Sequence, residues 1–411
     1  MRLRLIASAL AVGCVVVGCG TRPADAGPDA SISSDSGDEA TDAGVVVRDC
    51  SGGVEPLPPM KTYQRWYSTL NYGYCGLPAA DGQGNIALEV SESDHPAWDL
   101  LAPSGTRISG ADAWWGALFP ATTGFIVEQG NSGGANNAPE IQGIDPGGAQ
   151  RNHTQVFGRP LLIPSSPGEL LAVGPISARF VAPADAQQMV WQLRGDATSL
   201  WGPTALALQS RVLGAGSDAA GRVLVIQEGA SEFGAGSIAA QWFDRDGSAL
   251  TRAFQLIPEF RPGPSTWFET SAIAGGLAIR RMDQDTPSAL KKSEWVLVLR
   301  SGSRRPDPAP EWLRSRPNTD LALLADGRYA TLPWGTDVSP CAQAVEILSS
   351  SGESCGTLTM EVDSRRCRTR DLRRGLDGTL LQMLPADRED SPVGQPLVHS
   401  CTLRFWPGAL P

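Results

Sequence analysis

Residues 221–247 read GRVLVIQEGASEFGAGSIAAQWFDRDG, and their layout recurs along the chain. Gly221 precedes RVLVIQ, a run of the apolar and β-branched residues that fill strands, and Gly247 closes a second such run, QWFDRDG. The same opening stands at Gly84 (NIALEV), Gly124 (FIVEQ), Gly168 (ELLAV), Gly276 (LAIRRM), Gly327 (RYATL) and Gly378 (TLLQML). Taken in order, the seven openings are spaced by 40, 44, 53, 55, 51 and 51 residues. A second turn follows at Gly105, Gly147, Gly195, Gly247, Gly302 and Gly352, and the last unit keeps CTLRFWPG at the C-terminus. Repeats of this length, each too small to bury its own apolar surface, stack on their neighbours.

Each unit offers strand, long connection, strand, turn, strand, the sequence form of a four-stranded antiparallel blade. Seven such units over residues 75–411 resemble a seven-bladed β-propeller, an all-β fold. A six- or eight-bladed propeller, or a pair of β-sandwiches, would produce the same spacing. The GH…WD pair of WD40 repeats and the glycine doublets of kelch repeats are both missing. Trp98, Trp191, Trp242 and Trp295 sit four to seven residues before the second turn, where packing of blade against blade is expected of them. Composition agrees. Hydrophobic residues make up 41% of 411, with 46 Gly and 32 Pro, enough for a sizeable core in a turn-rich chain. A net charge of −10 argues against a basic groove for nucleic acid. Lys61, Lys291 and Lys292 are the only lysines among 34 basic residues, so the Glu/Lys ladders of a helical protein are missing.

Residues 1–19, MRLRLIASALAVGCVVVGC, carry Arg2 and Arg4 ahead of an uncharged stretch of 14 residues, Leu5 to Gly18. That stretch is shorter than the roughly 20 apolar residues of a spanning helix and suits a signal peptide. Its end, Val16-Val17-Gly18-Cys19, resembles the lipobox of bacterial lipoproteins. The resemblance implies a signal peptide over 1–18 and lipidation of Cys19 by a diacylglycerol and a further acyl chain such as palmitate. Attachment to a membrane by several chains would follow. Ala11-Val12-Gly13-Cys14 is a weaker second match. In lipoprotein families with Asp-based inner-membrane retention, a non-Asp residue after the lipid site, here Gly20, implies sorting to the outer membrane. Residues 19–49 then hold seven acids against two arginines and little that could be buried, the composition of a disordered linker. Residues 50–411 remain for the propeller domain.

Removing Cys14 and lipidating Cys19 leaves Cys50, Cys75, Cys341, Cys355, Cys367 and Cys401, an even set in an exported chain and therefore disulfide candidates. Six thiols allow 15 pairings. Local closure favours Cys50–Cys75, Cys341–Cys355 and Cys367–Cys401, and their clustering near both ends suggests staples where a closed fold joins its termini.

Compact catalytic signatures are weak. Gly130-Asn131-Ser132-Gly133-Gly134 resembles the nucleophile loop of chymotrypsin-like serine proteases. Its upstream histidine, His95, lies too close and in the wrong context, so a Gly/Asn loop is the better reading. Asp244-Arg245-Asp246-Gly247 resembles the opening of a calcium loop, but no acid follows, which favours a hairpin turn. Arg304-Arg305, Arg365-Arg366-Cys367-Arg368-Thr369-Arg370 and Arg373-Arg374 form the one basic concentration. They suit either a solvated face or an anion. His153 and His399 stand alone. The expectation is a lipoprotein with no assigned catalytic residue, metal or cofactor, whose propeller presents a face to a protein or glycan. The alternative is a glycan-active enzyme with acids gathered at the central channel.

Overall fold

The computed structural model describes residues 50–411 apart from 51–52, 70–74, 93–94, 113–114, 130–139, 156–159, 166–167, 176–186, 230–232, 234–235, 285–291, 335–340, 342–343, 362, 365–370 and 390–396. The chain enters through strand β1 (Lys61–Thr69). Blade 1 follows as β2 (Ala79–Ala80), β3 (Ile86–Glu92), β4 (His95–Leu101) and β5 (Arg107–Asp112). Blade 2 is β6 (Trp115–Pro120), β7 (Phe125–Gln129), β8 (Glu140–Ile144) and β9 (Gln150–Gln155). Blade 3 is β10 (Leu161–Ser165), β11 (Glu169–Pro175), β12 (Gln188–Leu193) and β13 (Ser199–Ala205). Blade 4 is β14 (Val212–Ser217), β15 (Val223–Glu228), β16 (Ile238–Phe243) and β17 (Phe254–Ile257). Blade 5 is β18 (Thr266–Ile273), β19 (Gly276–Asp283), β20 (Lys292–Arg300) and β21 (Asp307–Pro308), followed by the single helical turn α1 (Glu311–Arg314). Blade 6 is β22 (Thr319–Leu323), β23 (Tyr329–Pro333), β24 (Ala344–Leu348) and β25 (Ser354–Thr359). Blade 7 takes β26 (Leu372–Arg374), β27 (Leu380–Glu389) and β28 (Leu397–Trp406), and β1 adds its outermost strand. All seven sheets are four-stranded and antiparallel, so the protein is a seven-bladed β-propeller.

The turns follow from glycine. The first turn of every blade holds a residue at positive φ: Gly84, Gly124, Gly168, Gly221, Gly275, Gly327 and Gly378, all between 70° and 87°. In most of them the first residue's carbonyl accepts from the glycine N–H, as Asp81 does from Gly84 at 3.1 Å and Asp218 from Gly221 at 3.0 Å. Six of the seven openings read in the sequence are therefore these turns. The fifth is displaced by one residue, because Ile273 pairs with Gly276 and the bend falls on Ala274-Gly275. Two second turns differ likewise. Gly148, not Gly147, takes the positive φ in blade 2, and Ala197 at φ 64° takes it in blade 3 in place of Gly195. Asp196 makes this bearable by accepting from the N–H and hydroxyl of Thr198.

The core is not one mass but seven layers, one in each gap between blades. Side chains along a strand alternate between the two gaps on either side of their sheet. Ile126 and Ile141 meet Leu170 and Leu193 of blade 3, while Phe125 and Val127 meet Trp98 and Leu100 of blade 1. Strands buried on both faces read as unbroken apolar runs, and this is why VLVI and LLAV stand behind the turn glycines. Trp98, Trp242 and Trp295 are fully buried in the gaps between blades 1 and 2, 4 and 5, and 5 and 6. Trp191 packs half-buried in the gap between blades 2 and 3. The second turns are covered by the preceding blade. A Cβ on Gly352 would lie 2.1 Å from the Trp312 ring and one on Gly247 2.4 Å from Trp201, so backbone strain and lack of space both require glycine there.

Closure of the ring falls to β1, which pairs with β28 from Lys61↔Phe405 to Thr69↔Leu397. Asp99 of β4 fastens it to blade 1. Its Oδ2 accepts from the Tyr63 hydroxyl at 2.7 Å, and its Oδ1 accepts from Arg65 Nη1 at 3.0 Å and Arg107 Nε at 2.7 Å. Burial, reinforced by the Asp99 carboxylate, pushes the Tyr63 phenol up to about 12. The disulfides are long-range, contrary to the pairings that local closure favours. Cys50 joins Cys355 on β25, and Cys75, just before β2, joins Cys401 on β28, with sequence separations of 305 and 326. Cys341 is also disulfide-bonded, while Cys367 lies outside the described residues. The propeller brings residues from opposite ends of the domain side by side, so Cys50 and Cys75 each meet a mate more than 300 residues away. Cross-links of such span limit the unfolded chain most. Replacing Cys75 by Ser should lower stability by about 2–5 kcal/mol, and reductant should lower it further by opening Cys50–Cys355. Thermal unfolding of residues 50–411 with and without reductant checks this, and an unchanged midpoint would mean that strand pairing alone closes the ring.

Candidate functional site

The inner strands β2, β6, β10, β14, β18, β22 and β26 each leave one hydrogen-bonding edge unpaired by a further strand, and these edges surround the axis. The channel they enclose contains a cavity of about 960 Å³. Its wall runs from Leu161, Leu213 and Trp267 at the starts of inner strands to Gly82, Thr122 and Leu376 at the first turns. At the latter mouth neighbouring blades are stitched together. Leu376 N–H donates to the Ala80 carbonyl at 3.1 Å, Gly82 N–H to the Ala121 carbonyl at 3.0 Å, and Gly124 N–H to Asp81 Oδ2 at 2.7 Å. A Cβ on Gly168 would fall 3.0 Å from Leu376 Cδ1, so this blade 7 side chain reaches across to the turn of blade 3.

Two polar clusters reach the wall. The first is built around Arg280 of β19, whose side chain is only 3% exposed. Its Nη2 donates to Glu269 Oε2 at 2.6 Å and to Asp320 Oδ1 at 2.5 Å, and its Nη1 donates to the Thr319 carbonyl. The guanidinium lies 4.8 Å from the Trp295 ring and 5.5 Å from that of Trp334. Trp267 Nε1 donates to the other Glu269 oxygen at 3.2 Å. Carboxylates from blades 5 and 6 thus converge on one buried cation, and loss of Arg280 itself would leave both acids without their partner. The second cluster joins blades 3 and 4. Ser165 Oγ donates to Ser217 Oγ at 2.9 Å, and Gln192 Nε2 donates to Ser165 Oγ at 3.3 Å and to Glu169. Burial raises the Glu169 carboxyl, against the pull of Gln192, Arg194 and Arg245.

Of the motifs singled out in the sequence, few reach the channel. Asp246-Gly247 makes the second turn of blade 4, with Asp246 accepting from Ser248 N–H at 2.9 Å and Gly247 at φ 81°. Arg304 and Arg305 are exposed, and His153 stands exposed on β9. His95 and His399 lie on β4 and β28. Ser132 and its glycines, Arg365–Arg370, Cys14 and Cys19 fall outside the described residues. Arg373 and Arg374 lie on β26, and Arg374 lines the cavity. The Arg280 cluster escaped the sequence reading because its members come from β18, β19 and β22. Its one local signal is an arginine interrupting the apolar run LAIRRM at a position that alternation places inside.

No family model and no curated protein sequence matches the chain. Among solved structures, the β-propeller domain of the Trilobed protease from Pyrococcus furiosus is 8% identical, over 80% of this chain and 93% of that one, with a TM-score of 0.41. Prolyl oligopeptidase B from Galerina marginata is 10% identical over 80% of this chain, which spans half of that one, with a TM-score of 0.45. Drosophila Plexin A, solved in complex with Semaphorin 1b, is 10% identical over 86% and 88% of the two chains, with a TM-score of 0.37.

Asp371, just ahead of β26, is buried, and its Oδ2 has no hydrogen-bond partner. Burial pushes its carboxyl up to about 6, although its own and the Leu372 backbone N–H favour the charged form. A carboxyl raised in the folded state stabilises below its unfolded value and loses that contribution as the pH climbs through about 6. Asp371→Asn should therefore raise the unfolding temperature by a few degrees near pH 7.5 and change it little near pH 4. Equal midpoints for the two proteins at the higher pH would show that the carboxylate is compensated there.

Proposed function

We propose that this chain is a tethered binding module of the bacterial cell envelope, anchored through lipid on Cys19 and held off the membrane by residues 19–49. Its propeller meets a protein or glycan ligand at the central channel and the face around it. The observation that carries the non-catalytic reading is the sharing of Arg280 by Glu269 and Asp320. Glycoside hydrolysis takes two carboxyl groups in opposite protonation states flanking the scissile bond. The two described acids that line this channel, from separate blades, are instead committed to one guanidinium, while Trp267 and the strand edges line the same wall. The alternative, a glycan-active enzyme at the same place, is favoured by the mere convergence of those acids and requires them to be released. Two long-range disulfides support export to an oxidising compartment. The lipobox resemblance and Gly20 support an outer-membrane anchor.

Cys19→Ala should abolish incorporation of labelled palmitate and release the protein from the membrane fraction; persistent labelling would move the site to Cys14 or remove the anchor altogether. Incubated with a panel of envelope oligosaccharides and peptides, residues 50–411 should retain some of them and return every one intact. Shortened products that disappear in Glu269→Gln would overturn the non-catalytic reading in favour of the enzyme.

A further inference from the structure

Arginines that leave water in this protein generally take a carboxylate with them. Arg65 shares Asp99 with Arg107, Arg280 holds Glu269 and Asp320, Arg316 grips Glu346 with two nitrogens, Arg328 meets Asp326, and Arg404 sits 3.6 Å from Asp363. Such pairing is expected, because a guanidinium stripped of water and left alone is costly to hold.

Arg374 departs from the pattern. It ends β26, lines the central cavity, and keeps a buried Nε with no hydrogen-bond partner. Its guanidinium makes no hydrogen bond and no ion pair among the described residues. Burial draws it below the usual arginine range, and the Asp377 charge only partly offsets this. Asp377 is itself occupied, accepting from Thr379 N–H at 3.0 Å and Thr379 Oγ1 at 2.6 Å. The carboxylates of other first turns hydrogen-bond neutral donors and not Arg374. Asp81 accepts from the backbone N–H groups of Gln83, Asn85 and Gly124, and Asp218 from those of Ala220 and Arg222 and from the Ser301 hydroxyl. The residues that precede the first turn in the other six blades are Ala80, Pro120, Pro164, Ser217, Ile273 and Leu323, none of them charged. Arg374 therefore brings to this layer of the channel a guanidinium that hydrogen-bonds no carboxylate among the described residues, with the Asp377 charge as a partial offset.

We infer that Arg374 is the binding residue for an oxyanion, a carboxylate or a phosphate, carried by a ligand seated in the central channel. A planar guanidinium matches the two oxygens of such a group and gives a charge-assisted pair stronger than a neutral hydrogen bond. The hydroxyls of Ser165 and Ser217 line the same cavity, and Leu323 and Leu376 supply apolar wall. The inference rests on the proposed reading only in taking the channel as the ligand's seat.

Inorganic phosphate, glucuronate and octanoate, titrated at constant ionic strength into residues 50–411, test it by calorimetry and thermal shift. At least one should bind and raise the unfolding temperature of the wild type, and the anion that does so identifies the body of the ligand. Arg374→Met should weaken that binding by about tenfold or more, and Arg374→Lys should recover part of it. Arg314→Met, which removes an exposed arginine paired with Glu311, should bind as the wild type does. Without any anion, Arg374→Met should be at least as stable as the wild type, since it removes a part-buried guanidinium whose Nε has no hydrogen-bond partner. Three results would overturn the inference: undiminished binding by Arg374→Met, no binding of any probe up to about 10 mM, or a destabilised ligand-free Arg374→Met. If one of these results comes while residues 50–411 still retain a glycan or peptide, the module stands as a binder and the anion site alone fails.

Discussion

Everything in this fold depends on one antiparallel ladder, the pairing of β1 with β28. A propeller has no core of its own. Its apolar surface lies in seven gaps, and each gap is dry only while both flanking blades stay in place. An open ring would uncover the gap between blades 7 and 1, with Leu101, Leu381 and Phe405, and loosen every other gap in turn. The devices near the closure act on this weakness. Asp99 ties β1 to blade 1 through three donors, Cys75–Cys401 crosses the gap itself, and Cys50–Cys355 pins the segment ahead of β1 to blade 6.

The same arrangement shapes the channel. Inner strands have no partner on the axis side, so their backbone groups supply much of the polar character of the wall, and a few side chains add charge. Arg280 and Arg374 do this at different depths and in opposite ways. The first is shared by two acids and welds blade 5 to blade 6, and the second keeps an unsatisfied Nε with only the Asp377 charge to offset it. A cation held by acids serves the scaffold, whereas one without such a hold is free to serve a ligand.

Much of the fold was legible in the sequence because its punctuation is local. A positive φ at the first turn needs glycine whatever surrounds it, so the turn glycines mark the blades, and strands buried on both faces show as apolar runs. Errors arose where chemistry replaced glycine or the bend moved by a residue, at Ala197 and at Gly275. Pairing of the cysteines was not legible, because ring closure reverses the usual link between nearness in sequence and nearness in space. The channel clusters were hidden for a related reason. Glu269, Arg280 and Asp320 meet across three strands, and only the oddity of an arginine in LAIRRM hinted at them. The tandem Arg373-Arg374 was visible, but nothing in its neighbourhood told which of the two faces the axis.

Borrowing the outer strand of the last blade from the start of the domain also orders events in time. Residues 61–69 leave the ribosome more than 300 residues before the strand they pair with. Through all that synthesis, and through any passage across a membrane, β1 is a strand without a ladder and Cys75 a thiol without its mate. Blades 1 to 6 are complete in sequence order, each able to dock on the one before, while the seventh waits for the final segment. Maturation is thus gated by arrival of the C-terminal strands: a chain cut short within blade 7 leaves the first strand as well as the last unpaired, exposing an edge at the end that was made first.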